Sequence, residues 1–334
     1  MLSGDWVLEQ NTVKFLFQNR EYFWEMPEDY EMPSKALLDL AEFLLLQPYG
    51  KVAESQASRK FGSRVGVAYS GGVDSTAAMN LLPDPIAVYT QIVKPSAIHK
   101  MDNALAALKE RDGLAIKSNY DELPKQYKRS PGFYGAGGFT ITLVLLADYL
   151  DLHTVADGNV LETVYLFSAH GHGTKYTPRD FSSVLERFEK AGLYYSMPCA
   201  GLTEVSTTLI AGESDYVMGC MRGDLGTPCN YCAKCYRKSA LAGHPIATCP
   251  EAEKKINKEY VSMLPSLLWA VERCGLEHPK LSPLKKDISW VDKWYADSIK
   301  YVPGKLREFF TKRLEDFGIE SLHGVSPLQE WESR

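Results

Sequence analysis

The chain has 334 residues, 45% hydrophobic and 24% charged, enough to bury one sizeable core with decorated ends. A formal net charge of -5 argues against a surface built throughout to grip phosphate backbones, so nucleic acid is not indicated as a partner beyond a local basic patch. The opening residues lack the basic start and apolar run of a signal peptide, and no apolar stretch nears the roughly 18 residues of a membrane span, which predicts a soluble, cytoplasmic protein.

Two aromatic and β-branched runs, Val13-Lys14-Phe15-Leu16-Phe17 and Tyr22-Phe23-Trp24-Glu25-Met26, flank Gln18-Asn19-Arg20-Glu21 and predict a β-hairpin. Ser34 precedes Leu37, Leu38, Ala41, Leu44 and Leu45, whose spacing predicts an amphipathic helix that ends at Pro48. Together these make residues 1–60 an N-terminal packing appendage.

From Arg64 short apolar runs alternate with helical stretches: a strand at 65–69, a helix from Val73, a strand at 86–89, a helix from Ile98 and a strand at 114–116. A helix over 139–150, a strand at 153–156 and a helix near Asn159 continue the winding. The alternation predicts an α/β domain with a doubly wound parallel sheet over 61–245. Residues 246–334 read as a helical extension, with helices over 254–274 and 288–317 interrupted by prolines. Its aromatic residues Trp290, Trp294, Tyr295, Tyr301, Phe309 and Phe310 are expected to pack between helices, and the extension to cover the site or build a homodimer.

Between the first predicted strand of this domain and its helix lies Ser70-Gly71-Gly72-Val73-Asp74-Ser75-Thr76. Two glycines let successive N–H groups turn inward, and the helix adds its positive end, so the segment predicts an anion cradle with hydroxyl donors. It lacks the Gly-Lys-Ser/Thr ending of a Walker A loop, which disfavours kinase-like transfer of a γ-phosphate. Further on, Cys220-x8-Cys229-x2-Cys232-x2-Cys235 presents four thiolates suited to one structural zinc ion, with an iron–sulfur cluster as the rival. Seven cysteines, an odd count with four clustered, suit metal binding in a reducing compartment better than a disulfide framework.

The cradle resembles the SGGxDS signature of PP-loop ATP pyrophosphatases, whose members include asparagine and GMP synthetases, NAD synthetase, tRNA thiolation enzymes and 7-cyano-7-deazaguanine synthase. The order of glycine loop and late cysteine quartet, followed here by Arg237 and Lys238, is most similar to 7-cyano-7-deazaguanine synthase, over roughly residues 64–245. The resemblance implies a HUP-like (adenine nucleotide alpha hydrolase-like) fold with ATP and Mg2+ at residues 70–76 and Zn2+ on the four cysteines. It implies an AMP-forming ligase: a carboxylate or amide-type oxygen of a heterocyclic acid, or of a protein or peptide, is adenylated and then attacked by ammonia or an amine.

The substrate element Tyr-Pro-Asp-Cys-Arg of that family is absent. Asp157-Gly158-Asn159 through Glu162-Thr163 instead looks partly like the Asp-Asp-x-x-Glu-Thr element of tRNA thiolation and lysidine enzymes, which makes Asp157 and Glu162, with Asp74, candidates to hold magnesium or orient the nucleophile. Arg179 is a candidate partner for a substrate carboxylate. His170 and His172 are candidate acid–base residues, Gly135-Ala136-Gly137-Gly138 a candidate second cradle, and Cys199 the candidate sulfur carrier if the reaction inserts sulfur into a nucleobase or tRNA. A non-catalytic adenine-nucleotide sensor is the other alternative.

Overall fold

The computed structural model describes residues 1–93, 100–129, 136–168, 171–172, 176–217 and 220–333. It opens on three antiparallel strands, β1 (Asp5–Glu9), β2 (Thr12–Phe17) and β3 (Arg20–Glu25). The strands of the expected hairpin run further into the turn than the pattern suggested. Gln18 and Asn19 alone connect them, with φ of 50° and 61°, the left-handed pair that suits the twist of a two-residue hairpin. Strict alternation sends Val13, Phe15, Phe17, Tyr22 and Trp24 into the core. Helix α1 (Lys35–Leu46) follows, with Ser34 at its N-cap position but no hydrogen bond from the Ser34 side chain.

The chain then runs through β4 (Arg64–Ala68), α2 (Val73–Asn80), β5 (Ile86–Ile92), α3 (Asp102–Lys109), β6 (Leu114–Ser118), α4 (Glu122–Gln126), α5 (Ile141–Leu145), β7 (Leu152–Ala156) and α6 (Leu161–Tyr165). A small antiparallel pair, β8 (Phe167–Ser168) and β9 (Gly171–His172), leads to α7 (Ser182–Lys190), β10 (Tyr194–Ser196), α8 (Glu204–Ala211) and α9 (Ala233–Leu241). The remainder comprises α10 (Pro250–Asn257), α11 (Leu264–Arg273), β11 (Trp294–Tyr295), a 3-10 turn (Ala296–Tyr301), α12 (Arg307–Asp316), β12 (Ser321–Leu322) and α13 (Pro327–Ser333).

One eight-stranded sheet has the order β1-β2-β3-β6-β5-β4-β7-β10. Its five strands from β6 to β10 are parallel, and β3 joins them antiparallel through Trp24 opposite Ser118 and Glu25 opposite Lys117. The N-terminal strands therefore extend the main sheet. Two apolar clusters occupy its faces: α1, α5 and α7 supply Leu37, Leu44, Leu145, Val184 and Phe188 to one, and α2, α3, α8 and α12 supply Ala77, Leu108, Ile210 and Phe310 to the other. β4 divides its side chains between them, Val65 and Val67 on one face and Gly66 on the other, where a Cβ would meet Leu143 at 2.6 Å.

The strand order reverses beside β4: the chain winds outward through β5 and β6, then returns to lay β7 on the other edge of β4. Such a reversal leaves a crevice at the carboxyl ends of the two strands, the usual ligand position in parallel sheets.

Two helical expectations need correction. The stretch 139–150 is a 3-10 turn (Gly138–Thr140) and the short α5, because β-branched Ile141, Thr142 and Val144 carry little helix preference and the chain must turn at Asp151, φ 52°, to enter β7. The stretch 288–317 is not one long α-helix: its first residues are not helical, and 3-10 turns at Ala296–Tyr301 and Gly304–Leu306 precede α12. Trp294 and Tyr295 form β11 beside β12, Tyr295 N donates to Gly201 O at 2.8 Å, and only α12 is an α-helix. Trp290, Trp294, Tyr295, Tyr301 and Phe310 are buried as expected of packing residues, while Phe309 is exposed. No helix among the described residues is long and apolar enough to cross a membrane.

Trp24 is fully buried with ring centroids 5.9 Å from both Trp6 and Tyr120, so Trp24→Ala should lower unfolding stability by about 3–5 kcal/mol. Denaturant unfolding should show the whole main transition displaced; a separate early N-terminal transition would mean that the first three strands fold apart from the sheet.

Candidate functional site

At the end of β4 the backbone turns through Ser70, Gly71 and Gly72 into α2. Gly71 is required twice over: its φ is 68°, and a Cβ there would stand 2.5 Å from Ala104 Cα in α3. The hydroxyls shape the loop from within. Ser75 Oγ donates to Gly72 O at 3.0 Å and lies 3.1 Å from Ser70 Oγ, and Ser70 N donates to Ser75 Oγ at 3.2 Å. Below them the Tyr69 hydroxyl meets Thr76 Oγ1 at 3.2 Å in the core. Val73, Asp74 and Ser75 form the first turn of α2, whose free N–H groups and dipole favour an anion.

Across the crevice, β7 ends in Asp157-Gly158-Asn159. A Cβ on Gly158 would lie 2.6 Å from Asp74 C and 2.7 Å from Ser75 N, so this turn rests directly on the backbone of the cradle. Asp157 is buried, and its carboxylate accepts from the Tyr195 hydroxyl at 2.7 Å, Asn159 N at 3.1 Å and Asn159 Nδ2 at 2.7 Å. Burial pushes its pKa up to about 6, against those hydrogen bonds and the charge of Arg179. The Arg179 guanidinium lies over the Phe181 ring, 5.2 Å from its centroid; burial lowers its pKa while Tyr195 and Asp157 favour its charged form. Thus Arg179 belongs to the Asp157–Tyr195 group.

Glu162, in the first turn of α6, is buried too. Burial, then the carboxylates of Glu204 and Asp74, push its pKa up to about 8 against the pull of Arg237, and among the described residues its Oε2 has no hydrogen-bond partner. Facing it is α8, capped by Thr203 Oγ1, which accepts from Val205 N and Ser206 N. Glu204, Thr207 and Thr208 stand on one side of that helix at the three-and-four spacing. Thr207 Oγ1 donates to Asp74 Oδ1 at 2.7 Å, and Glu204 pairs with Arg237 and, at 3.5 Å, with Lys238. Burial opposes the charge on Glu204, but Arg237, Lys238 and Lys234 outweigh it and hold the carboxyl below the usual range.

Arg237 and Lys238 come from α9, whose N-terminus is the cysteine cluster. The Sγ atoms of Cys220, Cys229, Cys232 and Cys235 all lie within 4.8 Å of one another, with 3.5 Å between Cys229 and Cys235 and 3.2 Å between Cys235 and Cys220. Those separations far exceed a disulfide bond and approach the roughly 3.8 Å edge of a tetrahedron with 2.3 Å metal–sulfur bonds. All four are free thiols. The set fits one soft metal ion such as zinc, which would cross-link the loop and leave no open coordination position. The loop is also tied to the cradle side: Asn103, beside the Ala104 that covers Gly71, donates to Asp224 O and accepts from Gly226 N, both at 2.8 Å.

Of the other predicted residues, Cys199 is fully buried, its thiol 3.6 Å from Asp74 O, and burial followed by the charges of Asp74 and Asp157 raises its pKa. It supports the cradle backbone and is not exposed as a sulfur carrier. Gly137 faces Leu44 and Phe188, an apolar setting that supplies no second anion cradle at 136–138, while Gly135 lies outside the described residues. His170 and the His172 side chain also lie outside them. The sequence pattern did not reveal that the Glu204–Thr207–Thr208 side of α8 meets Asp74, nor that Tyr195 meets Asp157.

Residues 183–264 match the model of a family of unknown function (DUF6395). The match takes in α8, the four cysteines, Arg237 and Lys238, and omits residues 70–76 and Asp157. No curated protein matches the chain.

The purified chain should carry about one equivalent of a thiophilic metal, read by elemental analysis, and Cys232→Ser should lose most of it. Metal content unchanged in that variant would sink the four-thiolate site. The raised pKa of Glu162 carries a second prediction. A carboxyl held from 4.5 up to about 8 favours folding most below pH 4.5 and loses that contribution as pH rises through 8. Glu162→Gln should therefore flatten the decline of melting temperature across this window; an unchanged slope would remove Glu162 as its source.

Proposed function

We propose that this protein is an AMP-forming, ATP-dependent ligase of the PP-loop kind, acting on a carboxylate or amide-type oxygen with ammonia or an amine as nucleophile. The observation that carries this reading is the backbone contact of the Gly158 turn with Asp74 and Ser75, which sets the buried carboxyls Asp157 and Glu162 across from the glycine cradle at the strand reversal. In a HUP-like domain this crevice receives the nucleotide.

The turn at Gly71 and Gly72 and the first turn of α2 hold the pyrophosphate end of ATP. Magnesium, when bound, neutralises phosphate charge, and Asp74 with Glu162 supplies the carboxylates that would hold it. The substrate oxygen forms a bond to the α-phosphorus as the bond to pyrophosphate breaks; nitrogen then bonds to the activated carbon as AMP leaves. Arg179 would pair with the acid, which it can reach from beside Asp157. Asp157, with a pKa near 6, can take a proton from the incoming nitrogen at neutral pH. Net charge of -5 favours a small acid, of the deazapurine or a related heterocyclic class, or a protein or peptide carboxylate, over tRNA. The buried Cys199 speaks against sulfur insertion by that residue.

Incubation with ATP, magnesium, ammonium and a panel of acids including 7-carboxy-7-deazaguanine should yield AMP and an aminated product, and Asp74→Ala should reduce AMP formation by about two orders of magnitude while leaving circular dichroism unchanged. Nucleotide binding with no AMP from any acid would favour a sensor instead.

A further inference from the structure

Lys238 joins the cysteine loop to Asp74, the side chain at the mouth of the cradle. Its Nζ donates to Thr208 Oγ1 at 3.0 Å and to Glu204 O at 3.5 Å, lies 3.5 Å from Glu204 Oε2, and stands 4.0 Å from Asp74 Oδ1. With 14% of its side chain exposed, the ammonium is held in place by these acceptors and is not a freely solvated charge. Asp74 Oδ1 also accepts from Thr207 Oγ1 at 2.7 Å. Both contacts fall on the same oxygen. Among the described residues no hydrogen bond reaches Oδ2, and the Asp74 side chain is 36% exposed, which leaves its second oxygen available to a ligand.

The position of Lys238 depends in turn on the cysteines. Cys232 is the N-cap of α9, its Sγ accepting from Cys235 N at 3.4 Å, and Lys238 stands one turn beyond Cys235. Arg237, on the adjoining side of the same helix, pairs with Glu204, the residue whose carbonyl and carboxylate also hold Lys238. A metal that fixes the first turn of α9 therefore fixes both cations against α8.

We propose that Lys238 is a positioning residue that pins Asp74 Oδ1 and turns Oδ2 toward the crevice, so that occupancy of the four-cysteine site sets the affinity of the cradle for magnesium-bound polyphosphate. The inference rests on the nucleotide-binding reading above. It assigns the cysteine loop a second task besides stabilising the fold: the loop and the cradle, far apart in sequence, share one ion-pair network.

The test uses the metal-loaded full chain and calorimetric titration with Mg-ATP and with magnesium pyrophosphate. Lys238→Met should weaken both about tenfold with metal content unchanged, and Lys238→Arg should recover part of the loss. In an Asp74→Asn background the same Lys238→Met change should have almost no further effect, because the oxygen it orients has lost its charge. A tenfold loss in both backgrounds would make Lys238 a direct ligand contact and overturn the positioning role, as would wild-type affinity in Lys238→Met. By reciprocity, saturating magnesium pyrophosphate should tighten binding of the cysteine-site metal about tenfold in the wild type, read by equilibrium competition with a chelator, and leave it unaltered in Lys238→Met. Equal metal affinities with and without ligand in the wild type would overturn the coupling to the cysteine site. Wild-type protein that binds neither ATP nor pyrophosphate would instead overturn the cradle reading, and this inference with it.

Discussion

The contact between the Gly158 turn and the first turn of α2 organises everything around the crevice. Two backbones meet there at a separation no side chain could share, a Cβ on Gly158 falling 2.6 Å from Asp74 C. That approach follows from β4 and β7 being parallel neighbours with Val67 opposite Ala156, so that their carboxyl ends finish side by side. It is also why Cys199 can sit beneath the same carbonyl of Asp74, filling space that a larger side chain would overpack. Gly71, pressed against Ala104, imposes the same constraint from the α3 side.

Around this contact the protein gathers more acid than a buried region ordinarily tolerates. Asp157 and Glu162 are buried, Glu204 is half-buried, and Asp74 borders them. Each is handled differently. Asp157 is hydrogen-bonded by Tyr195 and Asn159, Glu204 is paired with two cations from α9, and Glu162 has its pKa raised to about 8 by burial and then by its acidic neighbours, with no donor to its Oε2 among the described residues. Buried charge is costly unless paired, and a carboxyl left without a partner is a frequent mark of a place where chemistry or a cation is expected. The unequal treatment of these groups gives the crevice a carboxyl of raised pKa, a paired charge and a partly exposed carboxylate within one small region.

The N- and C-terminal segments take part in the same construction. The first three strands widen the sheet and carry Trp24 into the core, and the C-terminal segment closes over the β10–α8 connection, where a Cβ on Gly201 would stand 2.5 Å from Trp294 Nε1. Met197 N donates to Tyr301 O at 2.9 Å in the same region. The β10–α8 connection is thus braced by the C-terminal segment, while the N-terminal strands extend the sheet at its β6 edge, where the aromatic composition of those ends suggested only generic packing.

What the sequence alone determined is local. The period-two alternation around Val13–Trp24 marked buried strands, the apolar runs from Val65 to Ala156 marked a parallel α/β sheet, the glycine pair marked a strand-to-helix turn, and the Cys220–Cys235 spacing marked a metal-like cluster, because each signal depends on neighbours within one or two turns of chain. Helix lengths near Ile141 and Trp290 were misread, since burial and turn geometry overrode periodicity there. Only the tertiary structure decided which side chains meet. Lys238 reaches Asp74 across 164 positions because α9 packs beside α8 and α8 beside α2, and Tyr195 reaches Asp157 because β10 pairs with β7. Such pairings arise from the order in which strands and helices stack, a property of the whole fold that no local pattern of residues contains.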